Sequence, residues 1–459
     1  QVYMEDAAVA SGTSTVTLNT SVDATLVRGD SNPEMLVVGA DNSTLILGDE
    51  SAKIESDEDG NLTRLDNLPT LTLDGQRDYV EENGLKSGAL VYAQGYDFEM
   101  YSNVVVKDNI NNTTGYGGGV FINSLNVGNR TNGEVDITGG GQVMNCEADY
   151  DGGGVCIVWS ADSTNLSFNV SGCSARNGGG LAIIEDIEDN ATAVNSLTKL
   201  YGGDKYVKPA ARYTATGKGD TTVSGTYANN YVVGVKVGKF TGYGGGVFFQ
   251  TTWGNADLTL SGGSIYNNTA TKGGGVAARD NDTGSDGGVA VRLTGASIYD
   301  NTSQGDAGGV YCRGSIFMSG GKVTGNNADS NGGGLYRENS SDNNGSYGYG
   351  SGSRTGGTLG GFGSNENSAL RNGDNTYGFG SKSYRWYYRT DSFSGTSKSE
   401  TVYYYDMPSP VTSSPSGYSF AYWSTSSSST YMASDAPNRN MSTSGSSTYY
   451  AVYRKTLYL

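Results

Sequence analysis

A chain of 459 residues with 47 acidic and 30 basic side chains has a formal charge of -17 and a pI near 4.4, which argues against electrostatic binding to nucleic acid or an anionic membrane surface. Histidine is absent, which removes Ser/His/Asp and Cys/His mechanisms and makes a zinc site a poor fit, and four cysteines are too few for a disulfide scaffold. Only 36% of the residues are hydrophobic and 71 are glycine, a composition of a disordered chain unless the glycines recur at fixed places.

The first 87 residues read as an N-terminal β cap or irregular first coils. Short β-like runs at Ser14 to Leu18, Ala24 to Val27, Met35 to Val38 and Thr44 to Leu47 alternate with Gly/Asp/Asn turns. Within this region, Glu55 to Asp66 resembles a calcium loop of the EF-hand type. Glu55, Asp57 and Asp59 stand at alternate positions, Gly60 follows, and Asp66 closes the loop. The resemblance implies calcium, the one cofactor the sequence offers, held by Glu55, Asp57, Asp59, Asp66 and the carbonyl of Asn61. Glu at the first position, Asp at the last and the lack of flanking helical patterns depart from that family. They leave a solvated acidic turn around Asp59-Gly60 as the other reading.

From residue 88 to 380 the chain repeats. A glycine triplet followed by an aliphatic residue ends at Val120, Val155, Leu181, Val247, Val276 and Leu335, with Ala307-Gly308-Gly309 before Val310. The aliphatic positions are 35, 26, 66, 29, 34 and 25 residues apart, and the 66 is expected to hold two periods with one copy degraded. A second strand ends in a glycine corner, as in Leu258 and Leu260 before Gly262-Gly263. A third signal, aliphatic-x-x-Asn, follows at Val106 to Asn109, Ile265 to Asn268, Ile298 to Asn301 and Val323 to Asn326, and extends to Phe362 and Asn365.

Three short strands per period of about 30 residues predict an all-β parallel β-helix, whose stacked coils place equivalent positions in columns about 4.8 Å apart. Alternation then sorts each triplet strand. Ile122, Ile157, Ile183, Phe249, Ala278 and Cys312 should point inward, and Phe121, Cys156, Ala182, Phe248, Ala277 and Tyr311 outward. Arg337 marks the end of the dry core. Cys146 and Cys173 fall in the slot that Asn268 fills, in consecutive coils, as a disulfide or as stacked thiols.

Over about residues 100 to 366 this pattern resembles the polymorphic outer membrane adhesins, which pair a Gly-Gly-aliphatic tetrapeptide with Phe-x-x-Asn on a right-handed β-helix. The third glycine replaces the family's usual Ala, and only Phe362 keeps its Phe. The resemblance implies the fold and a surface setting.

Residues 184 to 216 and 337 to 357 break the period and read as insertions leaving from corners, on a binding side or as plain loops. Residues 381 to 459 form a separate C-terminal module. Gly417-Tyr418-Ser419-Phe420-Ala421-Tyr422-Trp423 with the closing Tyr450-Ala451-Val452-Tyr453 resembles the Listeria-Bacteroides repeat, a small β-grasp-like unit of surface proteins. Trp423, Phe420 and Tyr418 are its expected core.

A β-helix can also host glycan chemistry on carboxylates alone, for which Asp280, Asp282 and Asp286 and the pair Asp149 and Asp151 are the candidates. All five sit beside glycines, where a solvated turn Asp is ordinary, and no catalytic site is expected. The first residue, Gln1, fits removal of a signal peptide, and no apolar run reaches a membrane span. The leading expectation is a secreted bacterial cell-surface protein, a non-catalytic adhesin or stalk that meets a protein or glycan on a host or neighbouring cell. The alternatives are a homopolymeric extracellular filament joined through solenoid ends and a polysaccharide-processing enzyme.

Overall fold

The computed structural model describes residues 2–4, 8–10, 15–29, 35–38, 44–51, 54–56, 62–64, 68–94, 97–123, 137–158, 164–184, 221–232, 242–251, 257–280, 289–338, 352–360, 366–371, 373–379, 381–387, 397–403, 417–424 and 448–454.

Each coil passes through three strands in fixed order. On the triplet face, Val120–Asn123, Val155–Val158, Leu181–Ile184, Val247–Thr251 and Val276–Asp280 pair in parallel, each with its counterpart one coil on. On the middle face, Ile137–Gly139, Thr164–Leu166, Thr221–Val223, Asp257–Leu260 and Val289–Leu293 do the same. The asparagine face stacks Gln142–Ala148, Asn169–Ser171, Thr226–Ala228, Ser264–Tyr266, Ser297–Tyr299 and Lys322–Thr324. The fold is therefore a parallel β-helix. In one coil a single strand, Val310–Met318, serves two faces, pairing first with Val276–Asp280 and then with Val289–Leu293. It turns at Gly314, where an added Cβ would lie 2.1 Å from the Val289 carbonyl oxygen.

Most strands before residue 88 lie in the same three faces, whereas Ile54–Ser56 and Leu62–Arg64 form an antiparallel hairpin of their own. Ala24–Arg28 pairs in parallel with Leu71–Asp74, Leu36–Val38 with Val91–Gln94, and Thr44–Leu47 with Phe98–Met100, so these residues are coils of the one solenoid. A short helix, Arg77–Asn83, bridges the asparagine face and the next triplet face. It ends on Gly84 at φ 62 and buries Val80.

Two expectations about spacing are corrected. Leu181 pairs directly with Val247 and Ala182 with Phe248, so the 66-residue interval is one coil with long excursions and not two. At the other end Leu359, not Phe362, pairs with Val323, and Asn367, not Asn365, receives the amide of Asn326. An excursion between strand and asparagine shifted that motif. Phe362 and Asn365 lie outside the described residues.

The inward columns are as the alternation predicts. Ile122, Ile157, Ile183, Phe249, Ala278 and Cys312 are successive partners and belong to one interior cluster. Cys312 then pairs with Arg337, whose Nε donates to the Gly378 carbonyl at 2.8 Å. The outward column needs a correction. Phe121, Cys156, Ala182, Phe248, Ala277 and Tyr311 do form a separate set, yet all are buried, in a second apolar layer with Tyr92, Tyr116, Val158 and Ile184. Rings at the position before the triplet fold over them: Tyr116 lies 5.9 Å from Phe121 and Tyr243 lies 6.1 Å from Phe248, centroid to centroid.

The C-terminal module is a four-stranded mixed sheet of Ser381–Tyr387, Ser397–Tyr403, Ser419–Ser424 and Thr448–Arg454. In space the order is second, first, fourth, third, with the central pair parallel and the outer pairs antiparallel, which is a β-grasp-like arrangement. Trp423 is buried and Phe420 packs on it at 5.2 Å, but Tyr418 is 37% exposed and Tyr422 is buried in its place. A register shift between Phe420 and Tyr422 breaks the alternation that had favoured Tyr418.

Candidate functional site

The asparagine slot is an internal scaffold. Asn230, Asn268, Asn301, Asn326 and Asn367 are buried, and each donates its side-chain amide to the Oδ1 of the next, at 2.9 to 3.1 Å. Except before Asn367, the residue preceding the slot turns through the left-handed region and is Asp108, Asn145, Asn229, Asn267 or Asp300, with φ between 51 and 57, or Gly172 or Gly325. Those residue types tolerate that region best. Cys146 and Cys173 take the same slot in two coils, with the Cys146 amide 3.4 Å from the Cys173 sulfur. Asn230 was not foreseen, because an aromatic residue, Tyr227, stands where the aliphatic one was sought.

The outer side of the triplet face carries the chemistry. Residues just before the triplets form a column through backbone bonds: Gly244 donates to Lys272 O, Gly273 to Asp306 O and Ala307 to Asn331 O, at 2.9 to 3.0 Å. Beside it run Phe248, Ala277, Tyr311, Tyr336 and Tyr377. The small Ala277 leaves room for Tyr243, 5.7 Å from Tyr311, and Arg279 lies 4.8 Å over the Tyr243 ring while bonding Gln250 Oε1 at 2.6 and 3.0 Å.

One coil on, the Lys272 ammonium is 5.0 Å from the Tyr311 centroid, 3.8 Å from Asp306 and 3.5 Å from Glu338. Tyr311 donates its hydroxyl to Glu338, and Asn331 donates to Asp306 from its amide at 3.2 Å and its side chain at 2.9 Å. Both carboxylates thus share one cation. Tyr311, Tyr336 and Tyr377 stack face to face, at 5.6 Å and 11°, then 5.1 Å and 6°. Tyr336 is stacked on both faces, and Tyr311 is buried. Lys272 and Arg279 come from one coil, and Asp306 and Glu338 from the next two. The only sequence signal for them is their fixed offset from each triplet.

The expected carboxylate candidates are not gathered with this cluster. Asp280 ends its strand, and Asp282 and Asp286 lie outside the described residues. Asp151 is buried and accepts a 2.8 Å bond from Asn177, whereas Asp149 is exposed. For the calcium loop, Ile54–Ser56 pairs antiparallel with Leu62–Arg64, which sets Glu55 opposite Thr63. Asp57, Asp59, Asn61 and Asp66 lie outside the described residues. Among the described residues no group of three or more carboxylates or thiols gathers that could hold a metal ion, and no helix is long and apolar enough to cross a membrane.

Compared with known proteins, the chain matches no family model, no curated protein and no solved structure.

Proposed function

We propose that the chain is a non-catalytic β-helical adhesin or stalk displayed outside a bacterial cell, presenting variable loops along one edge of a stiff rod to a protein or glycan on another cell. The observation that carries this reading is where most of the long intervals leave the solenoid; those at 233–241 and 361–365 leave from the asparagine face instead. The chain departs from the triplet strands after Asn123, Val158, Ile184, Thr251 and Asp280 and returns to the middle face at Ile137, Thr164, Thr221, Asp257 and Val289. Those departure points are neighbours in the ladder: Asn123 pairs with Val158, Val158 with Ile184, and Thr251 with Asp280. The next corner is held short by glycine, as between Leu260 and Ser264 or Met318 and Lys322. Length variation at one corner leaves the core register intact, and a row of loops on a rigid support is how solenoids display a binding surface.

The test is a binding screen of the intact chain against glycans, matrix proteins and cells, beside a variant in which residues 185–220 are replaced by a short Gly/Ser link. Binding by the intact chain, with loss in the variant at unchanged Tm, is expected. No binding to any member of the panel would overturn the reading. Polymers instead of single rods in electron micrographs would favour the filament, and release of reducing sugars or unsaturated uronates the enzyme.

A further inference from the structure

The two thiols of the asparagine slot stand apart from the rest of that column. The strand register pairs Val143 with Val170, Met144 with Ser171 and Glu147 with Ser174, so Cys146 and Cys173 are set opposite each other in consecutive coils. Adjacent strands hold such Cα atoms about 4.8 Å apart, inside the span a disulfide tolerates. Both residues are fully buried; each sulfur meets a carbonyl two residues back, Met144 O at 3.2 Å and Ser171 O at 3.4 Å, and the Cys173 sulfur also takes the Cys146 amide at 3.4 Å, all weak partners for a thiol. Gly154 stands beside the Cys173 sulfur, where an added Cβ would lie 3.3 Å away, so the third glycine of that triplet leaves the sulfur room to turn. Cys156 and Cys312 are also buried but belong to the outer layer and the interior of the triplet face.

We propose that Cys146 and Cys173 are a disulfide site that staples two consecutive coils, closed while the chain folds in contact with a disulfide oxidant such as oxidised glutathione. One cysteine thiolate attacks an oxidant sulfur and releases a glutathione thiolate, leaving a mixed disulfide. The other thiolate attacks the cysteine sulfur of that mixed bond and expels the second glutathione. Two protein thiols are oxidised, one glutathione disulfide is reduced, and the two cysteine protons end on the two glutathione thiols. Because burial pushes the Cys146 thiol well up and removes both sulfurs from solvent, the exchange belongs to folding, before the coils close. Once made, the bond is out of reach of reductant until the coils open. The inference stands on the register and the buried slot that the two sulfurs share, and is independent of where the protein works.

The full chain, unfolded and reduced, is refolded in a defined mixture of reduced and oxidised glutathione, denatured without reductant, alkylated and mapped by peptide mass. Alkylated Cys156 and Cys312, with Cys146 and Cys173 in one linked peptide pair that reductant separates, is the expected result. Alkylation of all four would overturn it. The double variant Cys146→Asn with Cys173→Asn, which completes the amide column, supplies a second readout on natively purified protein. Added reductant is expected to lower the urea midpoint of the parent chain and not that of the variant, and equal response of the two would refute the staple.

Discussion

Asn268→Ala tests whether the buried amide column carries the stability of the coils. Asn268 Oδ1 accepts from the Asn230 backbone amide at 3.0 Å and from its side chain at 3.1 Å, while its Nδ2 donates to Tyr227 O at 2.8 Å and Asn301 Oδ1 at 2.9 Å. Two of these partners have reserves: Asn230 Nδ2 also reaches Val170 O at 3.1 Å, and Asn301 Oδ1 keeps the Asn268 amide at 3.0 Å. The Asn230 N–H loses its side-chain acceptor. With about 1 to 3 kcal/mol for each buried group left unmatched, plus the space the amide vacates, alanine should cost about 3 to 5 kcal/mol. Asn268→Cys should cost about 1 to 2 kcal/mol, because a sulfur already takes an N–H in this slot at Cys173. Urea unfolding gives the totals. A solenoid need not unfold in one step, so hydrogen exchange at Asn230 and Thr269 should show whether the loss is local. Equal effects of alanine and cysteine, or a loss below about 1 kcal/mol for alanine, would refute the reasoning.

Gly274→Ala should cost about 3 kcal/mol or more in urea unfolding, since its Cβ would lie 2.4 Å from Thr302 O and 2.7 Å from Gly308 O, both backbone atoms of the next coil. Gly273→Ala should cost only about 1 to 2 kcal/mol, because the next coil already holds Ala307 in that slot at φ 63. Tyr227→Phe should raise stability by about 1 to 2 kcal/mol, as the tyrosine hydroxyl is buried in the core without a partner; a fall would point to a bond that the hydroxyl makes. Ile157→Asp should cost several kcal/mol or abolish soluble expression, by placing a carboxylate in the interior column. Calcium separates the two readings of residues 55–66: a rise in Tm that chelator reverses is the outcome for the calcium loop, and an unchanged Tm the outcome for the acidic turn.

The three faces were legible because each has its own punctuation. The triplet, the glycine corner and aliphatic-x-x-Asn recur in order, and strict alternation after the triplet fixes which of Ile157 and Cys156 enters the core. Alternation says which way a side chain points but not what lies over it, and that is why the burial of Phe121, Phe248 and Tyr311 went unseen. The coil containing Tyr227 and Asn230 was hidden because an aromatic residue took the aliphatic place. Lys272, Asp306 and Glu338 share only an offset from their triplets, and they meet through the register of successive coils. In the C-terminal sheet, a single register shift exchanged Tyr418 for Tyr422.

The amides of the asparagine column all point the same way. From Asn230 through Asn268, Asn301 and Asn326 to Asn367, each side chain gives a hydrogen toward the C-terminal end, and Asn367 gives its own to Asn375 beside the triplet-face strand. Such a chain is polarised: every dipole sits in the field of its neighbours, and each bond is strengthened by about 10 to 30% over an isolated one. Cys146 and Cys173 interrupt it, leaving Asn109 alone on the far side, bonded to the Gly88 and Gly118 carbonyls. The rod is therefore electrically asymmetric along its axis. Its C-terminal half is linked from coil to coil by side-chain amides, while coils on the N-terminal side of the sulfurs are joined by other side-chain bonds, such as Lys107 to Asp74 at 2.9 Å and Asn103 to the Pro69 carbonyl at 3.1 Å.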